Sequence, residues 1–228
     1  MAPDFDDLSQ TYDNEVQRSI DFIGQDLSFF TKAKAQHVLG LADKHFGSAR
    51  NTTMLDVGCG IGLTDSYLAD SCGGLHGIDV SAKEISRART ANPSVKYDSY
   101  DGLHIPYADD TFEMVFAINV FHHVPLQDRT ALMHDIVRVT KPGGLSVIYE
   151  HNPFNPLTRL AVRKCSFDAD AILLKRRDSE SLARNAGLTV VDHSYILFFP
   201  VPARFLTTVE RHLKWLPLGA QYCVAGRK

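Results

Sequence analysis

Short apolar runs alternate with amphipathic segments through the middle of this chain. The apolar runs lie at 53–57, 75–80, 112–118 and 145–149. Segments with helical spacing lie near 62–71, 81–91 and 127–139. Strands separated by helices of this length usually pair in parallel, with the helices on both faces of the sheet. Every position of 114–118 is apolar, which is typical of a strand covered on both faces. The pattern predicts an α/β fold.

Both flanks of this region also carry regular patterns. Val16, Ile20 and Ile23 recur at helical spacing, and 27–46 reads as a second helix that ends at Gly47. The pattern changes after Glu150, where 151–180 is an insertion with one or two helices. A helix near 178–186, a strand at 188–199 and a strand from Gln221 to Gly226 then close the chain.

The first apolar run ends in a loop with glycine at every second position, Gly58, Gly60 and Gly62, preceded by the acidic Asp56. Side chains at the glycine positions would fill the space beside the backbone, so a bulky ligand can lie close to it. The dinucleotide fingerprint G-x-G-x-x-G/A needs a small residue at position 63, where this chain has leucine. The spacing therefore argues against a dinucleotide, and an NAD-dependent or nucleotide-sugar enzyme is the alternative interpretation.

Five motifs, in order and in register, resemble those of class I S-adenosylmethionine-dependent methyltransferases. They are the loop 56–62, the strand end 77–81, the segment 100–107, the strand 112–119 and the turn 141–144. The resemblance covers roughly residues 50–151. It implies a Rossmann-like, seven-stranded, mostly parallel sheet with an antiparallel edge strand and helices on both faces. It also implies S-adenosylmethionine as the cofactor and S-adenosylhomocysteine as the product.

The resemblance places the cofactor at the carboxyl ends of the strands. The implied cofactor-binding residues are Tyr12, Asp56, Gly58, Gly60, Gly62, Asp79, Val80, Asp101, Gly102, Leu103 and Asn119. In the implied site, Asp79 accepts hydrogen bonds from both ribose hydroxyls, and Asp101 accepts one from the adenine amino group. Asp56 accepts from backbone amides or, through water, from the ligand ammonium. A turn or a helix cap is the alternative role for each aspartate.

Three N-terminal residues are weaker candidates. Tyr12 lies where similar enzymes fold a helix over the cofactor, although a partly exposed surface tyrosine is the competing interpretation. Arg18 and Lys32 could bind the ligand carboxylate, but charges on helix surfaces are usually only solvated.

Candidate bases follow the fourth and fifth strands. A general base accelerates methyl transfer to a hydroxyl, and histidine is the usual choice near neutral pH. Of the pairs His122–His123 and Glu150–His151, we predict that His123 and His151 face the acceptor. A structural role in packing or capping the next helix is the alternative for the histidine pair, and positioning alone could also suffice for catalysis.

The acidic residues around these histidines show no compact ligand pattern. Glu150, Asp168 and Asp170 are spread over the sequence, so we predict that no metal is bound. The insertion and tail carry cations at 159–177 and apolar residues at 195–218. The cations could meet an acidic acceptor. The apolar residues could line an apolar cavity, form a dimer contact or touch a membrane surface. Solvation and ordinary core packing are the simpler interpretations.

The composition of the chain limits the classes of partner and the cellular compartments that we expect. The formal net charge of −3 over 228 residues argues against nucleic acid. The four cysteines form no C-x-x-C pair, which fits a reducing compartment. The acidic start is unlike a signal peptide, and no apolar run reaches the roughly 18–20 residues of a membrane span. We therefore expect a cytoplasmic protein with a small-molecule partner, and the sequence indicates no oligomeric state.

We therefore predict a single methyltransferase domain over 1–228. It comprises an N-terminal helical lid at 1–47, a cofactor-binding core at 48–150, and an insertion with C-terminal acceptor-side elements at 151–228. The acceptor would be a small molecule, such as a biosynthetic intermediate, a sugar or an isoprenoid-like lipid. Oxygen is the favoured methyl acceptor. Methyl transfer to nitrogen or carbon is one alternative. A protein that binds a nucleotide cofactor without transferring a methyl group is the other.

Overall fold

The structure is a computed structural model that describes residues 12–199, 209–210 and 212–228. The strands are β1 (Thr53–Val57), β2 (Gly74–Asp79), β3 (Lys96–Ser99), β4 (Phe112–Ile118), β5 (Thr140–His151), β6 (Thr189–Ile196) and β7 (Gln221–Arg227). The α-helices are α1 (Tyr12–Ile20), α2 (Leu27–Phe46), α3 (Asp65–Leu68), α4 (Ala82–Ala91), α5 (Arg129–Val139), α6 (Pro156–Lys164) and α7 (Arg176–Asn185). Short 3₁₀ turns lie at Asp21–Ile23, Ala49–Asn51 and Ser166–Asp168.

The described strands form one seven-stranded sheet in the order β3-β2-β1-β4-β5-β7-β6. Strands β1 to β5 pair in parallel. The antiparallel strand is β7, which inserts between β5 and the edge strand β6 and is antiparallel to both. The predicted Rossmann-like sheet is confirmed. Its strand order reverses between β1 and β4, and the crevice at such a switch point is where α/β proteins bind ligands.

The core lies on both faces of the sheet, as the continuous apolar run in β4 indicates. Met114 and Phe116 pack on one face against α2 and α4, while Val115 and Ala117 pack on the other face against α5 and α7. Burying each large side chain contributes roughly 1.5–3 kcal/mol. The alternation of β4 therefore holds helices on both sides of the central strands.

Helix α2 has the predicted bounds, and Gly47 ends it in a left-handed conformation with φ +81°. The helix predicted at 62–71 is shorter, because Gly62 also has a positive φ and the α-helix covers only Asp65–Leu68. The turn at 141–144 is a bulge within β5, where pairing with β4 skips from Thr140 to Leu145. Among the described residues, none of the helices combines the length and apolarity that a bilayer crossing needs.

Candidate active site

A cavity of about 740 Å³ opens at the carboxyl ends of β1, β2, β4 and β5, and residues of α1, α2 and α6 close it on the other side. Most of the predicted site residues line it. They are Asp56, Gly58, Gly60, Asp79, Val80, Asp101, Gly102, Leu103, Asn119, His123 and His151. Two predicted residues do not appear in that lining. Gly62 lies behind the loop, and the side chain of Tyr12 lies outside the described part of the chain.

The glycine loop owes two of its three glycines to the packing of the protein itself. A Cβ at Gly58 would come within 2.4 Å of Val120 Cγ2, and one at Gly62 within 2.5 Å of Tyr97 Oη. Both glycines have positive φ. The space beside Gly62 is filled by protein, so a ligand contact there stays a prediction without support from the cavity lining. Gly58 and Gly60 both line the cavity, but a Cβ at Gly60 would meet only Glu84 Oε2, at 3.2 Å.

Asp79 is held in place at the end of β2. Its Oδ2 accepts a hydrogen bond from the Gly60 N–H at 2.9 Å, and its Oδ1 accepts from the Ser81 N–H at 2.9 Å. These two hydrogen bonds fix both carboxylate oxygens of Asp79 beside the cavity. The hydrogen bond from Gly60 also links the end of β2 to the glycine loop. It fixes the positions of these two predicted ligand-binding segments relative to each other.

Asp101 caps the turn that follows it. Its Oδ1 accepts from the N–H groups of Leu103 at 2.8 Å and His104 at 2.6 Å, and its Oδ2 contacts His104 Nδ1 at 2.8 Å. These hydrogen bonds, above all those from His104, lower the pKa of Asp101 to about 2. Asp101 therefore has the alternative role considered above, that of a turn residue. Its carboxylate is also charged at the rim of the cavity.

A buried cation, Lys34, also lines the cavity. Lys34, on α2, is only 9% exposed, and no residue in the described ranges accepts a hydrogen bond from its ammonium. Burial lowers its pKa to about 8, against the opposing charges of Asp56 and Glu150. Sequence reasoning missed Lys34 and named Arg18 and Lys32, which are exposed and outside the cavity lining. The sequence could have indicated Lys34 through its position, because it lies one turn after Thr31 on the buried face of α2.

Asp56 lies deep beside Lys34 at the end of β1. Its Oδ1 is buried without a hydrogen-bond partner among the described residues. Burial and the neighbouring Asp65 carboxylate raise its pKa well above the usual range. The pair of Asp56 and Lys34 therefore presents both an acceptor and a donor group to the cavity.

His122 forms a buried ionic cluster with two carboxylates. Its Nδ1 lies 2.6 Å from Glu150 Oε2, and its Nε2 lies 3.4 Å from Asp168 Oδ1. Burial opposes the charge on this ring, but Glu150 and Asp168 outweigh burial and raise the pKa of His122 to about 9. His122 is therefore an imidazolium at neutral pH. It ties β5 to the 3₁₀ turn that contains Asp168.

The two predicted bases stay neutral beside this cation. Burial and the charge on His122 lower the pKa values of His123 and His151 to about 4 each. His123 Nε2 lies 3.4 Å from Asp168 Oδ1, while His151 Nδ1 lies 3.4 Å from Gln221 Nε2. Sequence reasoning treated Asp168 only as a scattered acid, because a contact across more than 40 residues leaves no local pattern.

Three of these side chains also have the spacing of a metal site. Ligand atoms of His122, His123 and Asp168 lie within 4.8 Å of one another. Both ring nitrogens of His122, however, face carboxylates as hydrogen-bond donors, and an imidazolium has no lone pair to offer a metal. The prediction that no metal is bound therefore stays a prediction, with a physical reason in its favour.

Asn119 ends β4 in a left-handed conformation, with φ 59°. Asparagine tolerates this conformation better than most residues. Its Oδ1 accepts a hydrogen bond from Gln221 Nε2 at 3.2 Å, which connects the ends of β4 and β7. Gln221 also reaches His151, so the start of β7 completes the wall where the histidines lie.

Comparisons with known proteins agree with this geometry. A family model for a methyltransferase domain matches residues 55–148. An uncharacterized methyltransferase of Synechocystis is 31% identical over 142 residues, which are 60% of this chain and 67% of that protein. The ubiquinone biosynthesis O-methyltransferase of Hydrogenovibrio crunogenus is 26% identical over 193 residues, 76% of this chain and 77% of the relative. This chain spans only 32–40% of the length of three further curated relatives, at 33–39% identity.

A solved structure supports the fold. The SAM-dependent methyltransferase from Thermotoga maritima aligns with a TM-score of 0.68, covering 97% of this chain and 98% of that one. The two sequences are 16% identical, so this likeness concerns the fold and not the substrate.

Proposed function

This chain belongs to the S-adenosylmethionine-dependent methyltransferases, and from that membership we propose that it transfers a methyl group to an oxygen atom of an apolar small molecule. The matched relatives are named as O-, N- and C-methyltransferases, so the family alone does not choose the atom. The observation that carries the choice of oxygen is the pair of neutral histidines, His123 and His151, beside Asp168 in the cavity wall.

The amino-acid end of the cofactor carries both a carboxylate and an ammonium, and it would lie beside Lys34 and Asp56. The buried Lys34 ammonium, without a hydrogen-bond acceptor among the described residues, suits the ligand carboxylate. Asp56 offers a buried carboxyl oxygen without a partner among the described residues, and the ligand ammonium beside it would favour the charged form that burial and Asp65 disfavour. At the nucleoside end, Asp79 would accept hydrogen bonds from the ribose hydroxyls, and the backbone at Gly60 leaves room for close approach. The carboxylate of Asp101 would meet the adenine amino group at the rim.

The histidines supply what an alcohol or phenol acceptor needs. S-adenosylmethionine, when bound, supplies a methyl group activated on a sulfonium. A hydroxyl must lose its proton as it attacks, and a neutral imidazole can accept that proton. We assign this role to His123, with His151 as the second candidate. Asp168 lies 3.4 Å from His123 Nε2, so its carboxylate would orient the ring and balance the charge that develops on it.

The rest of the lining favours an apolar acceptor. Val16, Ile20 and Ile23 face the cavity from the N-terminal segment, and Val162 faces it from α6. Apolar walls with a few convergent polar groups are typical of small-molecule sites. The acceptor would therefore place an apolar body against these side chains and its hydroxyl near the histidines.

A labelled methyl group tests the proposal even while the acceptor is unidentified. The protein is incubated with S-adenosylmethionine carrying ¹³C in its methyl group and with an extract of cellular small molecules and lipids. The ¹³C chemical shift of the product methyl distinguishes methoxyl, N-methyl and C-methyl groups. We expect a methoxyl resonance, and an N-methyl or C-methyl resonance would contradict the choice of oxygen. If S-adenosylhomocysteine binds and no acceptor is methylated, the chain binds the cofactor without methyl transfer.

The base is tested in the same assay. His123→Ala should lower turnover by about 10²–10⁴-fold, the usual contribution of a general base. His151→Ala serves as the parallel variant, and cofactor affinity should change little in either. Unchanged turnover in both variants would mean that positioning alone supports the reaction.

A further inference from the structure

We propose that a surface beside the cavity docks on an anionic lipid bilayer. This surface, the apolar lip, consists of five exposed side chains: Phe154, Leu157, Leu160, Trp215 and Leu218. Trp215 is 73% exposed, Phe154 61% and Leu218 58%. Clusters of large exposed apolar side chains mark sites of interaction. Tryptophan and other aromatic side chains are also enriched where proteins meet the interface of a membrane.

Hydrogen bonds hold the two segments of the apolar lip together. Asn155 Nδ2 donates to the Leu218 carbonyl at 2.7 Å, and Asn152 Nδ2 donates to the Pro217 carbonyl at 3.1 Å. These bonds seat the turn before β7 against the loop that leads into α6. Phe154 and Leu157 flank Asn155 in sequence, while Trp215 lies three residues before Leu218. The loop before α6 and the turn before β7, which carry these exposed side chains, therefore lie side by side.

Charge indicates what this surface meets. Helix α6 carries Arg159, Arg163 and Lys164 and no acidic residue. Arg159 and Arg163 are exposed, lie one helical turn apart, and form no ion pair with any residue in the described ranges. Lys164 lies over the ring of Phe22, 4.9 Å from its centroid. Cations beside exposed apolar and aromatic side chains are the combination that binds anionic bilayers peripherally.

A second copy of this chain fits the same surface less well. In a two-fold symmetric contact the patch faces itself. The arginines of α6 would then approach their own copies with no acidic residue on the helix to neutralise them. An anionic bilayer offers both an apolar interior and the complementary charge. We therefore commit to the bilayer as the partner.

The apolar lip is continuous with the cavity. Leu157 belongs to both, and the opposite face of α6 lines the cavity through Thr158, Ala161 and Val162. Docking would place this wall of the cavity at the lipid surface, where apolar acceptors are concentrated. The docking itself does not depend on the reaction, so it can be tested apart from the proposed function.

Trp215 is the only tryptophan in the chain, so its fluorescence reports on the apolar lip directly. The purified protein is titrated with vesicles of phosphatidylcholine and phosphatidylglycerol in equal parts, and with vesicles of phosphatidylcholine alone. We expect a shift of the emission to shorter wavelength with the anionic vesicles, quenching by brominated acyl chains, and weakening by salt. Unchanged emission at all concentrations of anionic lipid would overturn the proposal. So would a shift that follows protein concentration without lipid, because it would identify a contact between copies.

Variants connect the signal to the two parts of the surface. Arg159→Gln with Arg163→Gln should weaken binding to anionic vesicles by about 25-fold, at roughly fivefold for each cation. Phe154→Ser should weaken it by on the order of tenfold. Val191→Ser, at an exposed position on the edge strand β6, is the matched control and should bind as the unmodified chain does. Equal binding by all the variants, or equal loss by the control, would overturn the proposal.

Discussion

Burial and one shared carboxylate decide which histidine of the site carries charge. His122 contacts both Glu150 and Asp168, and their charges raise its pKa to about 9 despite burial. His123 also contacts Asp168, but burial together with the charge on His122 lowers its pKa to about 4. Two adjacent residues of one type thus take opposite protonation states. The difference in protonation follows from the positions of Glu150 on β5 and Asp168 in a 3₁₀ turn.

We expect this difference to appear in an NMR titration. The ring protons of His122 should titrate near pH 9, and those of His123 only near pH 4. Because the folded-state pKa of His122 is raised, the stability that its charge contributes is complete below about pH 6.5 and is lost as the pH rises to 9. The measurement is a ¹H–¹³C spectrum of histidine-labelled protein, assigned with His122→Gln and His123→Gln. Titration of both residues near pH 6.5 would contradict the ionic cluster.

Lys34 gives the second prediction at this scale. Lys34→Met should weaken S-adenosylhomocysteine binding by about 10- to 100-fold, because a hydrogen bond to a charged group contributes about 1.5–3 kcal/mol. Isothermal calorimetry measures the affinity. Lys32→Met is the matched control, since that lysine lies on the same helix, is exposed and does not line the cavity. Equal affinities for the two variants would remove Lys34 from the site.

At the scale of elements, the glycine loop serves both the packing of the protein and the lining of the cavity. Gly58 and Gly62 let the loop pack against Val120 and Tyr97, where any side chain would collide. Gly58 and Gly60 line the cavity, and the Gly60 N–H donates to Asp79. The glycine spacing suggested a ligand site. Two of these glycines, Gly58 and Gly62, are also required by the packing of the connection between β1 and α3.

The loop can be tested by a pair of alanine substitutions. Gly62→Ala should lower the free energy of unfolding by about 2–4 kcal/mol, from overpacking and from the positive φ. Gly60→Ala should cost about 1–2 kcal/mol and mainly weaken S-adenosylhomocysteine binding. Urea denaturation and calorimetry measure the two effects. The assignment fails if Gly62→Ala is as stable as the unmodified chain, or if Gly60→Ala leaves affinity unchanged.

Local pattern explains why the sheet was predictable and part of the site was not. The run 53–57 coincides with β1, and α2 has its predicted bounds, because apolar spacing reflects burial directly. The resemblance to methyltransferase motifs implied Asp79 and Asn119 as site residues, and both line the cavity at the carboxyl ends of β2 and β4. Lys34 and Asp168 were missed because nothing in their neighbouring residues records which distant elements they will meet.

At the scale of the whole molecule, the cavity is enclosed by distant parts of the chain. α1 and α2 cover it from the N-terminal side, α6 comes from the insertion, and Gln221 comes from the start of β7. A ligand held between these elements couples them, so binding should stabilise the fold as a unit.

Thermal unfolding measures that coupling. A ligand at 100 times its Kd stabilises the native state by about 2.7 kcal/mol, and each kcal/mol raises the Tm of a chain of this size by roughly 2–4 °C. S-adenosylhomocysteine at that concentration should therefore raise the Tm by about 5–11 °C. NADH at the same concentration is the control and should leave it unchanged. An equal shift with NADH would favour a dinucleotide site, contrary to the family assignment.

The position of β7 has a consequence for how the chain is made. β7 lies between β5 and β6 but follows both in sequence. While the ribosome is still synthesising residues 197–220, β5 has one unsatisfied edge and β6 has no neighbour. Unpaired strand edges promote association between nascent chains. The sheet can close only when residues 221–227 leave the exit tunnel, so interrupted synthesis before that point should yield chains that depend on chaperones.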